Sequence, residues 1–192
     1  MQLPGPDVLF NLFWGGWVIS WVVAASWSSR AVAKPAPGDI WLYRGAATLG
    51  FILLTIGGRH QWRADRLWDV GYRGAQLLAF LTIPGFLFAW WARLHLGRLW
   101  SGTVTRKQDH HVVDTGPSAL VRHPIYTGLI EACLVSAIAA GTAISLAGLG
   151  IITFGFWLKA SLEERFLVQQ LGAEAYGAYR RRVPMLLPIR LG

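Results

Sequence analysis

Residues 120–128 read Leu-Val-Arg-His-Pro-Ile-Tyr-Thr-Gly and stand where a polar loop meets a long apolar run. Proline is favoured in the first turn of a helix, because its missing N–H would have had no partner there. The residue before a proline is pushed away from helical dihedrals. We therefore predict a loop that ends at His123 and a helix that begins at Pro124. The free N–H groups and the dipole of such a helix start attract anionic groups.

The helix that begins at Pro124 is predicted to be one of five membrane-spanning helices. Each apolar run holds about 16 to 20 residues, which at 1.5 Å per residue approaches the ~30 Å hydrocarbon core. Only Gly141 and Thr142 separate the last two runs, so these should form a tight antiparallel hairpin. An amphipathic helix should continue from Lys159 to Leu171, and a short interfacial helix should cover 173–182, with its Tyr and Arg side chains at headgroup depth. The five runs are residues 8–27, 40–57, 74–91, 124–140 and 143–158.

The composition agrees with a membrane protein. Of 192 residues, 54% are hydrophobic and 15% are charged, whereas soluble domains carry about 25% charged residues. The mean hydropathy is +0.40. We predict an all-α integral membrane protein made of a single domain, with three spans in residues 1–92 and a distinct half in residues 93–192.

The basic residues predict the orientation. Loops 28–39 and 93–123 and the segment from Lys159 onward would share one side of the membrane, and they carry 13 Lys and Arg residues; the other side carries 4. Basic residues favour the cytoplasmic side, so we expect the N-terminus outside and the C-terminus in the cytoplasm. The confinement of these residues to loops argues against a nucleic-acid partner, although the formal net charge is +8.

Three groups of side chains could carry chemistry. His110 and His111 are adjacent, but no HExxH, CxxC or carboxylate cluster accompanies them, so we expect no metal. Glu131 lies inside a predicted span, where an ionisable group is costly and faces a cavity or a partner. It could line a substrate cavity or pair with an arginine such as Arg44. Lys159 and Glu163 lie one helical turn apart; taken alone, they read as an interfacial anchor with solvated acids.

The arginine-histidine-proline run, the paired glutamates Glu163-Glu164 and the segment 171–184, Leu-Gly-Ala-Glu-Ala-Tyr-Gly-Ala-Tyr-Arg-Arg-Arg-Val-Pro, together closely resemble the isoprenylcysteine carboxyl methyltransferase family. That family is related to membrane phospholipid methyltransferases. The resemblance covers roughly residues 93–188, which makes 93–192 a methyltransferase-like catalytic half.

The resemblance implies S-adenosylmethionine as cofactor, held in a cytoplasmic pocket, and a lipid-like or prenylated substrate that enters from the bilayer. It implies that Glu163 contacts the cofactor and that Lys159 takes the place of an arginine that holds the substrate carboxylate. From the residues themselves, and not from the resemblance, we expect Arg122 to position the reactants without a general base and Glu131 to contact the substrate. The other implied cofactor contacts are Thr103, His110, His111, Val112, Val113, Ser118, His123, Pro124, Ile125 and Tyr126.

Departures from the family concern the substrate. Lys159 keeps the charge of the arginine but loses its bidentate geometry. Ser118 stands at a usually aromatic position, and Glu131 has no recognised counterpart. The leading interpretation is a methyltransferase that acts on an isoprenylcysteine-like carboxylate. A phospholipid amine or a thiol is the alternative acceptor, and a non-catalytic membrane transporter or assembly factor is the alternative of another class.

Overall fold

A computed structural model describes residues 3–25, 37–59, 65–97 and 113–188, and within these ranges all regular structure is helical. A short 3₁₀ turn, Gly116–Ala119, precedes the fourth helix. The helices are α1 (Pro6–Ala25), α2 (Pro37–Gly57), α3 (Gly71–Leu96), α4 (Pro124–Ala140), α5 (Ala143–Leu171) and α6 (Ala173–Arg182).

Four of these helices are long and apolar enough to cross a membrane: α1, α2, α3 and α5. The protein is therefore an all-α integral membrane protein, as predicted. Helix α4 is apolar but has 17 residues, a length of about 25 Å at 1.5 Å per residue. This is shorter than the ~30 Å hydrocarbon core.

The hairpin of α4 and α5 has the predicted turn. Gly141 adopts a left-handed conformation, with φ 67° and ψ 19°, and its N–H donates to the carbonyl of Ala137. The side chain of Thr142 then caps α5 by accepting from the N–H of Ser145. The last span and the amphipathic segment after it form one continuous helix of 29 residues, which ends at Leu171 as predicted. Hydropathy marks where a helix leaves the bilayer, whereas backbone hydrogen bonds decide where it ends.

Small residues let the helices approach closely. Helix α3 crosses α4 where Gly85 meets Gly128, and a Cβ at either glycine would overlap backbone of the other helix. On the other side of the hairpin, a Cβ at Gly148 of α5 would lie 2.6 Å from the backbone N of Leu54 in α2. Close backbone approach at small residues is the usual mode of helix packing in membranes.

Contacts at the two ends show that the helices alternate in direction. At one end, Leu67 donates to the carbonyl of Gly141 in the hairpin turn (2.7 Å), and Thr142 donates to the carbonyl of Gly57 at the end of α2 (3.2 Å). At the opposite end, Arg93 near the end of α3 donates to the carbonyl of Ala24 near the end of α1 (3.0 Å). That second end also holds the start of α4 and the last turns of α5.

Candidate functional site

The motifs that carry the family resemblance meet at the end of the bundle where α4 begins and α5 ends. Pro124 is the first residue of α4, as predicted, and His123 precedes it in a non-helical conformation. Glu163 and Glu164 lie two turns before the end of α5. Because the hairpin is antiparallel, residues about 40 positions apart in the chain become neighbours here.

Glu163 is bound by two residues of the arginine-histidine-proline segment. The Tyr126 hydroxyl donates to Glu163 Oε1 at 2.7 Å, and His123 Nδ1 lies 3.4 Å from Oε2. The Glu163 side chain is 22% exposed, so the protein does not enclose it completely. A carboxylate accepts through both oxygens, so it keeps capacity for further donors.

Three flat side chains line up beside this carboxylate. The ring of Tyr126 stacks on His123 at 5.5 Å with an interplanar angle of 8°, and on Phe156 of α5 at 5.2 Å with an angle of 6°. All three residues are buried. They form a rigid wall that continues from the site into the bundle.

Glu164 faces the other way and is enclosed by cations. Its side chain is 5% exposed, and Oε1 accepts from Arg122 Nε at 2.6 Å. His123 Nε2 lies 3.3 Å from the same oxygen, and Arg180 Nε of α6 lies 3.3 Å from Oε2. The expectation of solvated acids was therefore wrong for Glu164, because these long-range partners exclude water from it.

The segment after α6 is tied over the start of α4. The backbone N–H groups of Arg122 and His123 donate to the carbonyls of Pro184 (2.8 Å) and Met185 (3.1 Å), and the Thr127 hydroxyl donates to the carbonyl of Leu186 (2.6 Å). The Arg122 guanidinium also donates to the carbonyl of Val183 at 2.6 Å. Arg122 thus joins α5, α6 and the C-terminal segment.

The two glutamates change the acid–base behaviour of His123. Burial by itself would lower the pKa of the imidazole, but hydrogen bonds and charge interactions with Glu163 and Glu164 outweigh it and raise the pKa above its ordinary value. His123 therefore holds its proton more firmly than an exposed histidine does.

Lys159 lies one turn before Glu163 and faces aromatic rings. Its Nζ lies 5.1 Å from the centroid of the Tyr126 ring and 5.8 Å from that of Tyr43 in α2. Ammonium groups at this distance from an aromatic face are attracted by it. The structure therefore brings together Lys159, Tyr126, Glu163 and His123 from among the predicted site residues.

Glu131 lies elsewhere. It packs on Gly85 of α3, and its Oε2 is buried with no hydrogen-bond partner among the described residues. Arg44 instead lies close to Tyr43 and Lys159, near enough to act on them electrostatically. The suggested pairing of Glu131 with Arg44 is therefore wrong, because the two residues face different helices.

The residues before α4 reach the site through their backbone. Ser118 is 3% exposed, and its carbonyl accepts from the hydroxyl of Tyr179 at 2.7 Å. Tyr176 and Tyr179 are 2% and 4% exposed, so their side chains face the protein. Burial raises the pKa of the Tyr179 hydroxyl to about 12. These tyrosines face inward because they pack on Leu167 and Val168.

Part of the predicted cofactor contact lies outside the described residues, namely Thr103, His110, His111 and Val112. Val113 is described and half-buried, and Pro124 and Ile125 are buried at the start of α4. Within the described ranges, no group of three or more His, Cys, Asp or Glu residues could hold a metal ion.

Four contributors to the site were not predicted: Tyr43, Phe156, Arg180 and, as a buried residue, Glu164. Gly172, Tyr176 and Arg180 are spaced four residues apart, so they lie along one side of α6. This spacing does not show which residue of α4 or α5 contacts Arg180. The sequence signal for Glu164 was its position beside Glu163. This position does not show whether the Glu164 side chain is exposed or buried.

The fold and this site define the class: a helical membrane protein in which an arginine-histidine-proline segment meets paired glutamates across a hairpin. The sequence profile of the isoprenylcysteine carboxyl methyltransferase (ICMT) family matches residues 77–169. The match supports the resemblance to that family that the sequence motifs predicted. It begins inside α3, earlier than expected, and ends within α5, so α6 and the C-terminal segment lie beyond it.

Two relatives extend the comparison. The protein-S-isoprenylcysteine O-methyltransferase of Schizosaccharomyces pombe is 30% identical over 115 residues, which cover 58% of this chain and 48% of that enzyme. The chain thus spans about half the length of this relative. The nickel-cobalt-cadmium resistance protein NccN of Alcaligenes xylosoxydans xylosoxydans is 26% identical over 165 residues, which cover 82% of this chain and 71% of that protein.

Proposed function

We propose that this protein is a membrane methyltransferase that uses S-adenosylmethionine and methylates an amphiphilic acceptor. The observation that carries the proposal is the contact of Glu163 with Tyr126 and His123. It joins the two motifs of the family resemblance, and all three residues lie inside the matched range 77–169. The relative from Schizosaccharomyces pombe, named as an O-methyltransferase, supports the same activity.

The site fits such a cofactor chemically. The carboxylate of Glu163, whose side chain is partly exposed, suits a hydroxyl or ammonium group, and it is held in place by Tyr126. The stacked rings of His123 and Tyr126 give a flat, rigid border. Further contacts are expected from Thr103 and from residues 110–112, which precede the described part of the site.

S-adenosylmethionine, held by Glu163 beside His123 and Tyr126, would supply an electrophilic methyl group with a neutral thioether as the leaving group. The carboxylate acceptor is already anionic, so no general base is needed. The chain then contributes alignment and the exclusion of water. Lys159 would hold the acceptor next to the cofactor, and Arg122, through Glu164 and the C-terminal segment, would keep His123 in position.

The acceptor that ranks first is the carboxylate of an isoprenylcysteine-like molecule, entering from the bilayer. A phospholipid amine or a thiol ranks next, and for an amine a proton must also leave. We further propose five crossings of the membrane, with α4 as the short one, and the site on the cytoplasmic side. This orientation follows from the 13 basic residues on that side against 4 on the other.

The proposal is tested by cofactor binding. Calorimetry in detergent should show that the wild-type protein binds S-adenosylmethionine, that Glu163→Ala abolishes binding, and that Glu174→Ala at an exposed position of α6 leaves it unchanged. Incubating membranes with the labelled cofactor should then yield a labelled lipid-like product, whose structure identifies the acceptor. Equal binding by the wild type and by Glu163→Ala would contradict the site assignment.

A role in resistance to nickel, cobalt or cadmium is a second candidate, favoured by the similarity to NccN over 82% of this chain. Growth in the presence of these metals distinguishes this candidate from the proposed methyltransferase function. A strain lacking this protein should lose metal tolerance, and Glu163→Ala should restore it fully if tolerance needs no methyl transfer. Loss of rescue in this variant would make resistance a consequence of the enzyme activity.

A further inference from the structure

Helix α6 folds back along α5. Gly172 is all that separates the two helices, and the buried tyrosines of α6 pack on Leu167 and Val168 of α5. Further along α6, Arg180 Nε lies 3.3 Å from Oε2 of Glu164, which is one turn earlier in α5. The two helices therefore run in opposite directions, and the end of α6 lies at the level of Glu164.

Glu164 lies at the edge of the hydrocarbon core. Thr142, at the start of α5, donates to the carbonyl of Gly57, where the membrane-spanning helix α2 ends. Glu164 lies about 30 Å further along α5, at 1.5 Å per residue, and this distance matches the thickness of the hydrocarbon core. The arginines beside Glu164 in α5 and at the end of α6 are therefore at the depth of the lipid headgroups.

These arginines give this end of the bundle an exposed positive surface. Arg165 and Arg181 are exposed, and no acid among the described residues forms an ion pair with either. The side chains of Arg180 and Arg182 are 52% and 64% exposed. The acid nearest to this surface in α5, Glu164, is only 5% exposed. The surface therefore presents positive charge to the headgroups with little negative charge beside it.

An exposed leucine lies after these arginines and deeper in the membrane. The segment that follows α6 is held on α4 by the hydrogen bond from the Thr127 hydroxyl to the carbonyl of Leu186 (2.6 Å). Thr127 lies in the first turn of α4, below the level of Glu164. Leu187, which is 58% exposed, therefore reaches the edge of the hydrocarbon core. Basic side chains at headgroup depth with an apolar side chain below them are typical of segments that bind the membrane surface.

We propose that Arg165, Arg181 and Leu187 form a binding surface for anionic phospholipids. The guanidinium groups bind the phosphates, because their paired N–H donors match phosphate oxygens, and the leucine packs on the acyl chains. A bound lipid also steadies the segment after α6, whose carbonyls accept from the backbone N–H groups of Arg122 and His123. The inference goes beyond the proposed methyl transfer and does not depend on it.

The experiment compares two lipids that differ in headgroup charge. Binding of phosphatidylglycerol, and of zwitterionic phosphatidylcholine with the same acyl chains, is measured by native mass spectrometry of the whole chain in a neutral detergent. The wild type should bind phosphatidylglycerol more tightly. Arg165→Gln and Arg181→Gln should each weaken its tightest site about fivefold, because a basic residue near an anionic membrane surface contributes about 1 kcal/mol. Leu187→Ser should weaken the same site.

The chain offers a matched control at the opposite end of the bundle. Arg73 is exposed at the start of α3, and Arg73→Gln removes the same charge there. This variant should bind phosphatidylglycerol at its tightest site as the wild type does. A second readout is hydrogen exchange at the backbone N–H groups of Arg122 and His123. Phosphatidylglycerol should slow this exchange in the wild type and have a smaller effect in Arg181→Gln.

Three results would overturn the proposal. Equal binding of the two lipids by the wild type would show that charge does not matter, and unchanged affinity in both Arg165→Gln and Arg181→Gln would show that the lipid binds elsewhere. An equal loss in Arg73→Gln would indicate attraction to the net charge of the protein and not to this surface. Hydrogen exchange that phosphatidylglycerol leaves unchanged in the wild type would refute the link between the lipid and the segment after α6.

Discussion

Arg122→Ala is expected to be the most destabilising change at the polar end of the bundle. The Arg122 side chain is 9% exposed, and it donates to Glu164 at 2.6 Å and to the carbonyls of Arg180 (3.1 Å) and Val183 (2.6 Å). Removal of Arg122 leaves the Glu164 carboxylate, whose side chain is 5% exposed, without its nearest cation. It also releases two carbonyls at the end of α6.

The size of the stability loss depends on how far the remaining partners of Glu164 compensate for the missing Arg122. Removing one member of a buried ion pair costs about 3–5 kcal/mol, because the other charge stays buried. Glu164 keeps His123 and Arg180, each at 3.3 Å, so the loss should fall near the lower value, about 3 kcal/mol. That corresponds to a shift of about two powers of ten in the unfolding equilibrium.

The assay is unfolding in mixed detergent micelles as the denaturing detergent is increased, followed by the fluorescence of the 11 tryptophans. Arg182→Ala is the matched control. Arg182 also links α6 to a residue before α4, since it lies 3.1 Å from Asp114, but the two side chains are 64% and 42% exposed. Exposed pairs contribute about 0–1 kcal/mol. Equal losses in the two variants would refute the reasoning that burial gives the Arg122 pair its importance.

Three further outcomes are expected in the same assay. The folded protein raises the pKa of His123. The stability that protonated His123 contributes should therefore be complete below the unfolded pKa of about 6.5 and should be lost as pH rises through the folded pKa. His123→Gln should flatten this dependence of stability on pH, and an unchanged pH profile in the variant would contradict the expectation. Gly128→Ala should destabilise the protein by about 1–3 kcal/mol, because the added Cβ would overlap Gly85. Gly150→Ala places its Cβ in open space and should stabilise the protein by about 0.5–1 kcal/mol. Similar effects at both sites would rule out the close crossing of α3 and α4. Thr142→Ala removes the N-cap of α5 and should cost about 1 kcal/mol, and no loss would show that the cap is replaceable.

Local features of the fold were predictable where a single residue type restricts the backbone. The start of α4 at Pro124, the turn at Gly141 and the end of α5 at Leu171, directly before Gly172, were all placed correctly. Proline and glycine act within one or two residues of themselves, so no knowledge of the tertiary structure is needed. Four of the five apolar runs likewise predicted helices that are long and apolar enough to span, because the bilayer sets their length, whereas α4 is shorter.

The site was predictable only as far as sequence motifs name its residues. The approach of His123 to Glu163 followed from the hairpin and the family resemblance. The burial of Glu164 did not, because it depends on Arg180, which arrives from α6. Similarly, Glu131 faces Gly85 rather than Arg44, and periodicity within one helix does not tell which neighbour each face meets.

The sequence by itself determined that this chain is a helical membrane protein that resembles a methyltransferase family, with a polar corner at Arg122-His123-Pro124. Composition, proline and glycine positions and motif spacing are enough for that, because they act locally or through the bilayer. Only the tertiary structure decided which charges in that corner are paired. Those contacts join α2, α4, α5 and α6, and their free energies depend on burial, which no single segment of the chain determines.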